Sequence, residues 1–205
     1  MDKKTKDYYL YCGIKSLWHN KTFDDFTNDD EALGIVRNYL DRYPDGVEGL
    51  GLYLYGSNGT GKTHLLACSM KELLNRGYKV RMFSMDEIVD KFTAGWYSDE
   101  ERRDLNNVLR NIDFLAIDEF GKNVDKTGKP VPLPDLVKRV VESVIRYRVQ
   151  MGKPLWIASN TDPKYVRDVF SEDIGSLLNE AVVGVCVRGK DYRKVIQKQL
   201  KDKLV

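Results

Sequence analysis

One octapeptide, Gly56-Ser57-Asn58-Gly59-Thr60-Gly61-Lys62-Thr63, constrains this chain more than any other feature. Its glycines permit backbone conformations that turn successive N–H groups inward around a diphosphate, and a helix starting there adds the positive end of its dipole. The lysine then reaches the β and γ phosphates and the threonine hydroxyl suits a magnesium ion. The competing reading, a glycine-rich turn without chemical meaning, is answered by context. Leu50 to Tyr55 is a short apolar and aromatic run that reads as a buried strand, and Leu65 to Arg76 continues as a helix that stops at the C-cap Gly77. That strand–loop–helix frame is the setting the phosphate-loop reading requires. His64, next in line, reads as a packing or hydrogen-bonding residue beside the nucleotide rather than a catalyst.

Further strands are expected over Lys79 to Ser84, Phe114 to Ile117 and Leu155 to Ser159, and helices over 29–43, 86–92, 99–110 and 135–150. Pro44-Asp45-Gly46 breaks the first of these helices. Strands alternating with helices predict a parallel sheet wrapped by helices. In such sheets ligands collect at the carboxyl ends of the strands, where Gly56, Asp118 and Asn160 all fall. Asp118-Glu119 closes an apolar strand: the aspartate can hold the magnesium shell while the glutamate polarises a water for attack on the γ-phosphate. That second acid favours hydrolysis over transfer to a small acceptor, which weighs against a small-molecule kinase. Asn160 either orients the attacking water or caps the helix starting near Pro163.

Bulk properties exclude little. The 205 residues are 42% hydrophobic and 31% charged, enough for a packed core, and 33 basic against 31 acidic residues leave a net charge of +2. Acids gather at Asp24, Asp25, Asp29, Asp30 and Glu31, and bases gather between Arg188 and Lys203. The basic tail is either a solvated helix face or a phosphate-contacting surface. Cys12, Cys68 and Cys186 have neither disulfide nor zinc spacing. With a charged N-terminus and no apolar run of membrane-spanning length, the expectation is a cytoplasmic protein with no membrane partner.

With these residues in hand, the chain resembles AAA+ ATPases of the DnaC/DnaI/IstB group, bacterial and phage replicative helicase loaders and transposition helpers. The resemblance rests on Cys12-Gly13-Ile14, Trp18 to Phe26, Gly59 to Leu65, Leu105 to Leu109 and Ile112 to Gly121. It continues through Arg146-Tyr147-Arg148, Lys153-Pro154, Ala158 to Thr161 and Gly189 to Arg193. It implies a P-loop AAA+ three-layer α/β fold with a central parallel sheet and a small C-terminal lid-like segment. The division would be a lead-in over 1–43, the ATPase core over 44–170 and a C-terminal segment over 171–205. It implies ATP or ADP and Mg²⁺ as ligands, and a replicative helicase and single-stranded DNA as partners, with homo-oligomerisation when ATP is bound. By residue, it implies Lys62 and Thr63 as the Walker A pair, Asp118 and Glu119 as the Walker B pair, Asn160 as first sensor and Arg193 as second sensor. Phe23 and Phe26 would pack near the adenine, and Arg148 would face a neighbouring nucleotide.

Two departures stand out. Where the family carries an arginine finger, this chain reads Gly175-Ser176-Leu177-Leu178-Asn179-Glu180-Ala181, leaving Arg167 or Arg188 as substitutes. The resemblance also finds no counterpart here for the separate N-terminal domain that many loaders use to grip the helicase, so the expectation is either a short family member or a partner-binding piece that lies elsewhere. Lys91, Phe92, Trp96 and Tyr97 either stack on DNA or join the core, with Arg102 and Arg103 adding charge nearby. Lys122, Lys126 and Lys129 either contact DNA or decorate a solvated loop. The leading expectation is an ATP-hydrolysing helicase loader. The alternatives are a nucleotide-gated binding module with little turnover and an IstB-like transposition helper.

Overall fold

The computed structural model describes residues 3–93, 99–121, 135–169, 171–194, 197 and 201–202. A lead-in helix α1 (Lys3–Tyr11) is followed by short 3₁₀ turns at Ser16–Trp18 and Phe23–Asp25, then α2 (Asp30–Arg42). Next come β1 (Gly51–Tyr55), α3 (Lys62–Asn75), β2 (Val80–Ser84), α4 (Met85–Thr93), α5 (Asp99–Asn111) and β3 (Phe114–Phe120). The chain continues through α6 (Asp135–Gln150), β4 (Leu155–Ser159), α7 (Val166–Val169), α8 (Glu172–Ala181) and β5 (Val182–Cys186). The strands form one sheet in the order β2-β3-β4-β1-β5, with every neighbouring pair parallel.

The three layers follow from the alternation of side chains along a strand. On one face Leu52 and Leu54 of β1, Phe114 and Ala116 of β3, and Trp156 and Ala158 of β4 pack with residues of the lead-in, α2 and α3. On the other, Tyr53, Leu115, Ile117, Leu155 and Ile157 pack with residues of α4 to α8. Strands covered on both sides read as unbroken apolar runs, which is why they are visible in the sequence. The start of α2 is also local chemistry: the Asp29 side chain accepts the Ala32 N–H at 3.0 Å as an N-cap.

The fold extends the sequence expectation at two ends. Residue pattern does not place α1, which buries no residue, or β5. β5 pairs with β1 over five residues, Gly51 to Val182 through Tyr55 to Cys186, so the sheet runs past residue 170 into the C-terminal segment.

Arg148 corrects an expectation. It is completely buried in α6, and its guanidinium donates to the carbonyls of Leu109, Arg110, Ile112, Asp113 and Pro154 at 2.7–3.2 Å. These include carbonyls of the last turn of α5, which have no partner inside the helix. Arg148 is therefore the C-terminal cap of α5 and its tie to β4, and it cannot reach a neighbouring subunit. Burial pulls its pKa down to about 10. Phe92 is likewise buried, in the core cluster with α4 and α6 side chains, so its ring has no open face on which a base could stack. Replacing Arg148 with Met orphans five carbonyls; urea denaturation should show a loss of roughly 3–5 kcal/mol. Arg148→Lys should recover only part of this, because an ammonium lacks the planar fork.

Candidate nucleotide site

The loop between β1 and α3 is shaped by its glycines. Gly61 has φ 103°, and a Cβ there would lie 2.6 Å from the Phe26 ring; Gly59 has φ 77° and would meet the Asp191 carboxylate at 1.8 Å. Neither position tolerates a side chain, so the lead-in and the C-terminal segment press directly on the loop. Its carbonyls are engaged from within the loop and from outside it. Thr60 Oγ1 donates to Ser57 O at 3.0 Å, Asn28 Nδ2 donates to Thr60 O at 3.1 Å and to Lys190 O at 3.0 Å, and the Tyr192 N–H donates to Gly59 O at 3.0 Å. With carbonyls held outward, a loop of this kind leaves its N–H groups for an anion.

Lys62, Thr63, Asp118, Glu119, Asn160 and Arg193 border one cleft of about 560 Å³ at the carboxyl edge of the sheet. The pairing that aligns Tyr55 with Ser159 delivers the phosphate loop and Asn160 at the same level, and Asn160 Nδ2 donates to Asn58 Oδ1 at 2.9 Å. Lys62 is nearly buried, forms no ion pair among the described residues, and donates to Gly56 O at 2.8 Å and Ser57 O at 2.7 Å. Gly56 and Ser57 thus support the lysine through their carbonyls, while residues 58–64 line the cleft.

Burial is the largest influence on Lys62 and pulls its pKa down to about 8, against the opposing pull of Asp118. Asp118 is raised, again mainly by burial, with the Thr63 hydroxyl and the Glu119 N–H (2.9 Å) opposing. Among the described residues no group of three or more His, Cys, Asp or Glu could hold a metal ion. Thr63 and Asp118 instead offer two hard oxygen ligands beside a cationic lysine, a donor set that fits Mg²⁺ sharing its remaining positions with phosphate and water.

The far wall is aromatic. His64 lies between Trp18 (ring centroids 5.6 Å apart) and Phe26 (5.8 Å), and its Nε2 meets Thr22 O at 2.8 Å; burial lowers its pKa. Lys71 steadies this wall through the carbonyls of Trp18, His19 and Lys21. Phe26 lines the cleft. Phe23 does not border it, and sits under the Arg37 guanidinium at 5.7 Å. Leu17 and Asn28 join the lining without a sequence signal; the partners of Asn28 lie 32 and 162 residues away, so no local pattern could reveal it.

Lys91 is half-buried on α4, whereas Trp96, Tyr97, Lys122, Lys126 and Lys129 lie outside the described residues. Arg167 is exposed on α7, its Cβ close to the backbone of Gly175. Arg188 is exposed beside the lead-in; its N–H donates to Asp29 Oδ2 at 2.7 Å and its side chain pairs with Glu31 at 3.1 Å.

Residues 19–169 match the family model described as the bacterial DnaA ATPase domain. The chain belongs to this family of AAA+ ATPases. It is 27% identical over 179 residues to the replicative helicase loader DnaC of Escherichia coli K12, spanning 73% of this chain and 71% of that one. A crystal structure of the DnaC helicase loader superposes with a TM-score of 0.70 at 21% identity, covering 85% of this chain and all of the other. A structure of the replication initiator DnaA bound to AMPPCP and single-stranded DNA gives 0.67 at 22%, covering 92% of this chain and 56% of that one. At such identities the solved structures show a common fold. No helix among the described residues is long and apolar enough to cross a membrane.

The lowered pKa of Lys62 sets a pH dependence. Below about 8 the ammonium is already present, so a bound triphosphate takes up no proton. Above it, the anion must restore the proton, and affinity should fall by about tenfold per unit until the pKa of the bound state is reached. Calorimetry from pH 7 to 10 in buffers of different ionisation enthalpy should show this fall with matching proton uptake, and Lys62→Met should abolish both.

Proposed function

We propose that the chain is an ATP-hydrolysing helicase loader, acting on a replicative helicase and single-stranded DNA during replication. The observation that carries this reading is the convergence of the phosphate-loop lysine and threonine, the Asp118-Glu119 pair, Asn160 and Arg193 on one cleft. The likeness to DnaC supplies the biological setting.

In this reading the inward N–H groups of residues 58–63 and the Lys62 ammonium grip the β and γ phosphates. Thr63 and Asp118 would hold Mg²⁺, which would supply neutralisation of the phosphate charge. Glu119 takes a proton from a water whose oxygen bonds to the γ-phosphorus as the bond to the β–γ bridging oxygen breaks, releasing ADP and phosphate. Asn160 lets go of Asn58 and donates to that water or to a γ-phosphate oxygen, while Arg193 neutralises charge from the lid side. Trp18, Phe26 and His64 cover the base.

One observation favours a second reading, a nucleotide-gated binding module with little turnover. The stretch Gly175 to Ala181 holds no arginine and Arg148 is sealed in the interior. An arginine supplied in trans is worth about 10³–10⁵ in rate, and of the three candidates named from the sequence Arg167 and Arg188 are left for that role.

Lys62→Ala should weaken Mg·ATP binding by about 100-fold or more, and Glu119→Gln should keep binding while lowering kcat by about 100-fold. Turnover of the wild type should rise with protein concentration and with helicase and single-stranded DNA. Turnover that stays near the Glu119→Gln level under all these conditions, with ATP still bound, selects the binding module.

A further inference from the structure

Glu119 does not reach the cleft by ordinary strand geometry. Along β3, Phe114 and Ala116 pack on the α3 side of the sheet and Leu115 and Ile117 on the other. Strict alternation would continue with Asp118 on the α3 side and Glu119 on the opposite one. Both nevertheless border the same cleft.

The register explains how. Ile117 pairs with Ile157 and Phe120 pairs with Ser159, so two residues, Asp118 and Glu119, stand opposite the single residue Ala158. This is a β-bulge, and Glu119 within it has φ 58°, in the left-handed region. For a residue with a side chain such a conformation is strained and persists only where the surroundings enforce it. Beyond the bulge Phe120 returns to the apolar face that holds Ile117.

One hydroxyl is placed to enforce it. Ser159 is buried at the end of β4, and its Oγ donates to Phe120 O at 2.6 Å, immediately after the bulge. The same oxygen accepts the Thr161 N–H at 2.9 Å, immediately after Asn160. Thr161 is held a second time, because its carbonyl accepts the hydroxyl of the buried Tyr53 at 3.1 Å. Ser159 therefore fastens two backbone segments to each other, each one residue past a proposed catalytic side chain.

We propose that Ser159 is a positioning residue: its hydroxyl locks the bulge that turns Glu119 into the cleft and sets Glu119 against Asn160. This rests on the hydrolytic reading above. Alanine at 159 keeps the strand and its pairing but removes the hydroxyl that donates to the Phe120 carbonyl, which loosens the hold on the bulge and lets Glu119 drift from its place in the cleft. The phosphate loop, Lys62 and Thr63 make no bond to Ser159, so nucleotide affinity should be spared. A base displaced by about 1 Å loses on the order of 100-fold in rate.

The test is single-turnover hydrolysis and Mg·ATP affinity for the wild type, Ser159→Ala, Glu119→Gln and the double variant. The expected result is a kcat lower by about 10- to 100-fold in Ser159→Ala with Kd within about twofold of wild type. Adding Ser159→Ala to Glu119→Gln should cost much less than it does in the wild type, because the base it positions is already disabled. A wild-type kcat in Ser159→Ala, an equal loss in affinity, or the same further loss on the Glu119→Gln background would overturn the proposal. Should Ser159→Ala fail to fold, Ser159→Cys, with a similar shape and a weaker hydrogen-bonding atom, is read by the same criteria. A wild type that binds ATP without turnover defeats the hydrolytic reading itself. An active wild type with an unaffected Ser159→Ala defeats only the role given to Ser159.

Discussion

Lys62 and Asp118 are two opposite charges brought into the protein at the mouth of the sheet, and the architecture around them follows from keeping both there. Each is disfavoured by burial, the lysine pulled down to about 8 and the aspartate pushed up, although each favours the other's charged form. The carbonyls of Gly56 and Ser57 that receive the ammonium are dipoles rather than charges, so they offset only part of its desolvation. A polyanion with a divalent cation satisfies both groups at once: phosphate restores the ammonium, and the metal restores the carboxylate. The electrostatic imbalance thus points to the ligand class independently of any motif.

Holding that pair requires the loop to be shaped from outside. Asn28 reaches from the lead-in to the carbonyls of Thr60 and Lys190, and the Tyr192 N–H reaches from the C-terminal segment to Gly59. Gly189, at φ 122°, lies so close to Asn28 that a Cβ would come within 2.9 Å of the Asn28 carbonyl oxygen. Lead-in, loop and C-terminal segment are therefore fastened to one another at a single point.

The parts of this arrangement visible in the sequence are those whose physics is local. β1, β3 and β4 stand out because strands covered on both faces are continuously apolar, and the phosphate loop because glycines, lysine and threonine recur at fixed offsets. The acid pair is visible as residues, but the bulge that lets both acids serve one cleft is not. It depends on a register against Ala158, set by Ser159 on another strand. Arg148 carries no local mark of burial, and only the arrival of the carbonyls of α5 and Pro154 makes it a buried cap. Phe23 and Phe26 are three residues apart in one motif, yet the 3₁₀ turn at 23–25 sends Phe26 to the cleft and leaves Phe23 under Arg37. Local pattern identifies which side chains have chemical capacity; long-range contacts decide which of them meet.

The arginines show the same division. To serve a neighbouring subunit a guanidinium must be solvent-facing and cheap to detach from its partners. Arg148 fails on both counts, with five carbonyls to abandon inside the core. The side chain of Arg188 is held by a single exposed ion pair with Glu31, of a kind worth about 1 kcal/mol or less. Its backbone N–H is fixed separately by Asp29, so the side chain can swing while the main chain stays. Arg167 satisfies the first condition through its exposure on α7, and the glycine at 175 lets that helix approach α8 closely, in the stretch where the family's finger would stand. Any trans contribution to catalysis therefore falls to side chains at the rim, and its strength is set by the contact with the neighbour rather than by geometry built into the fold.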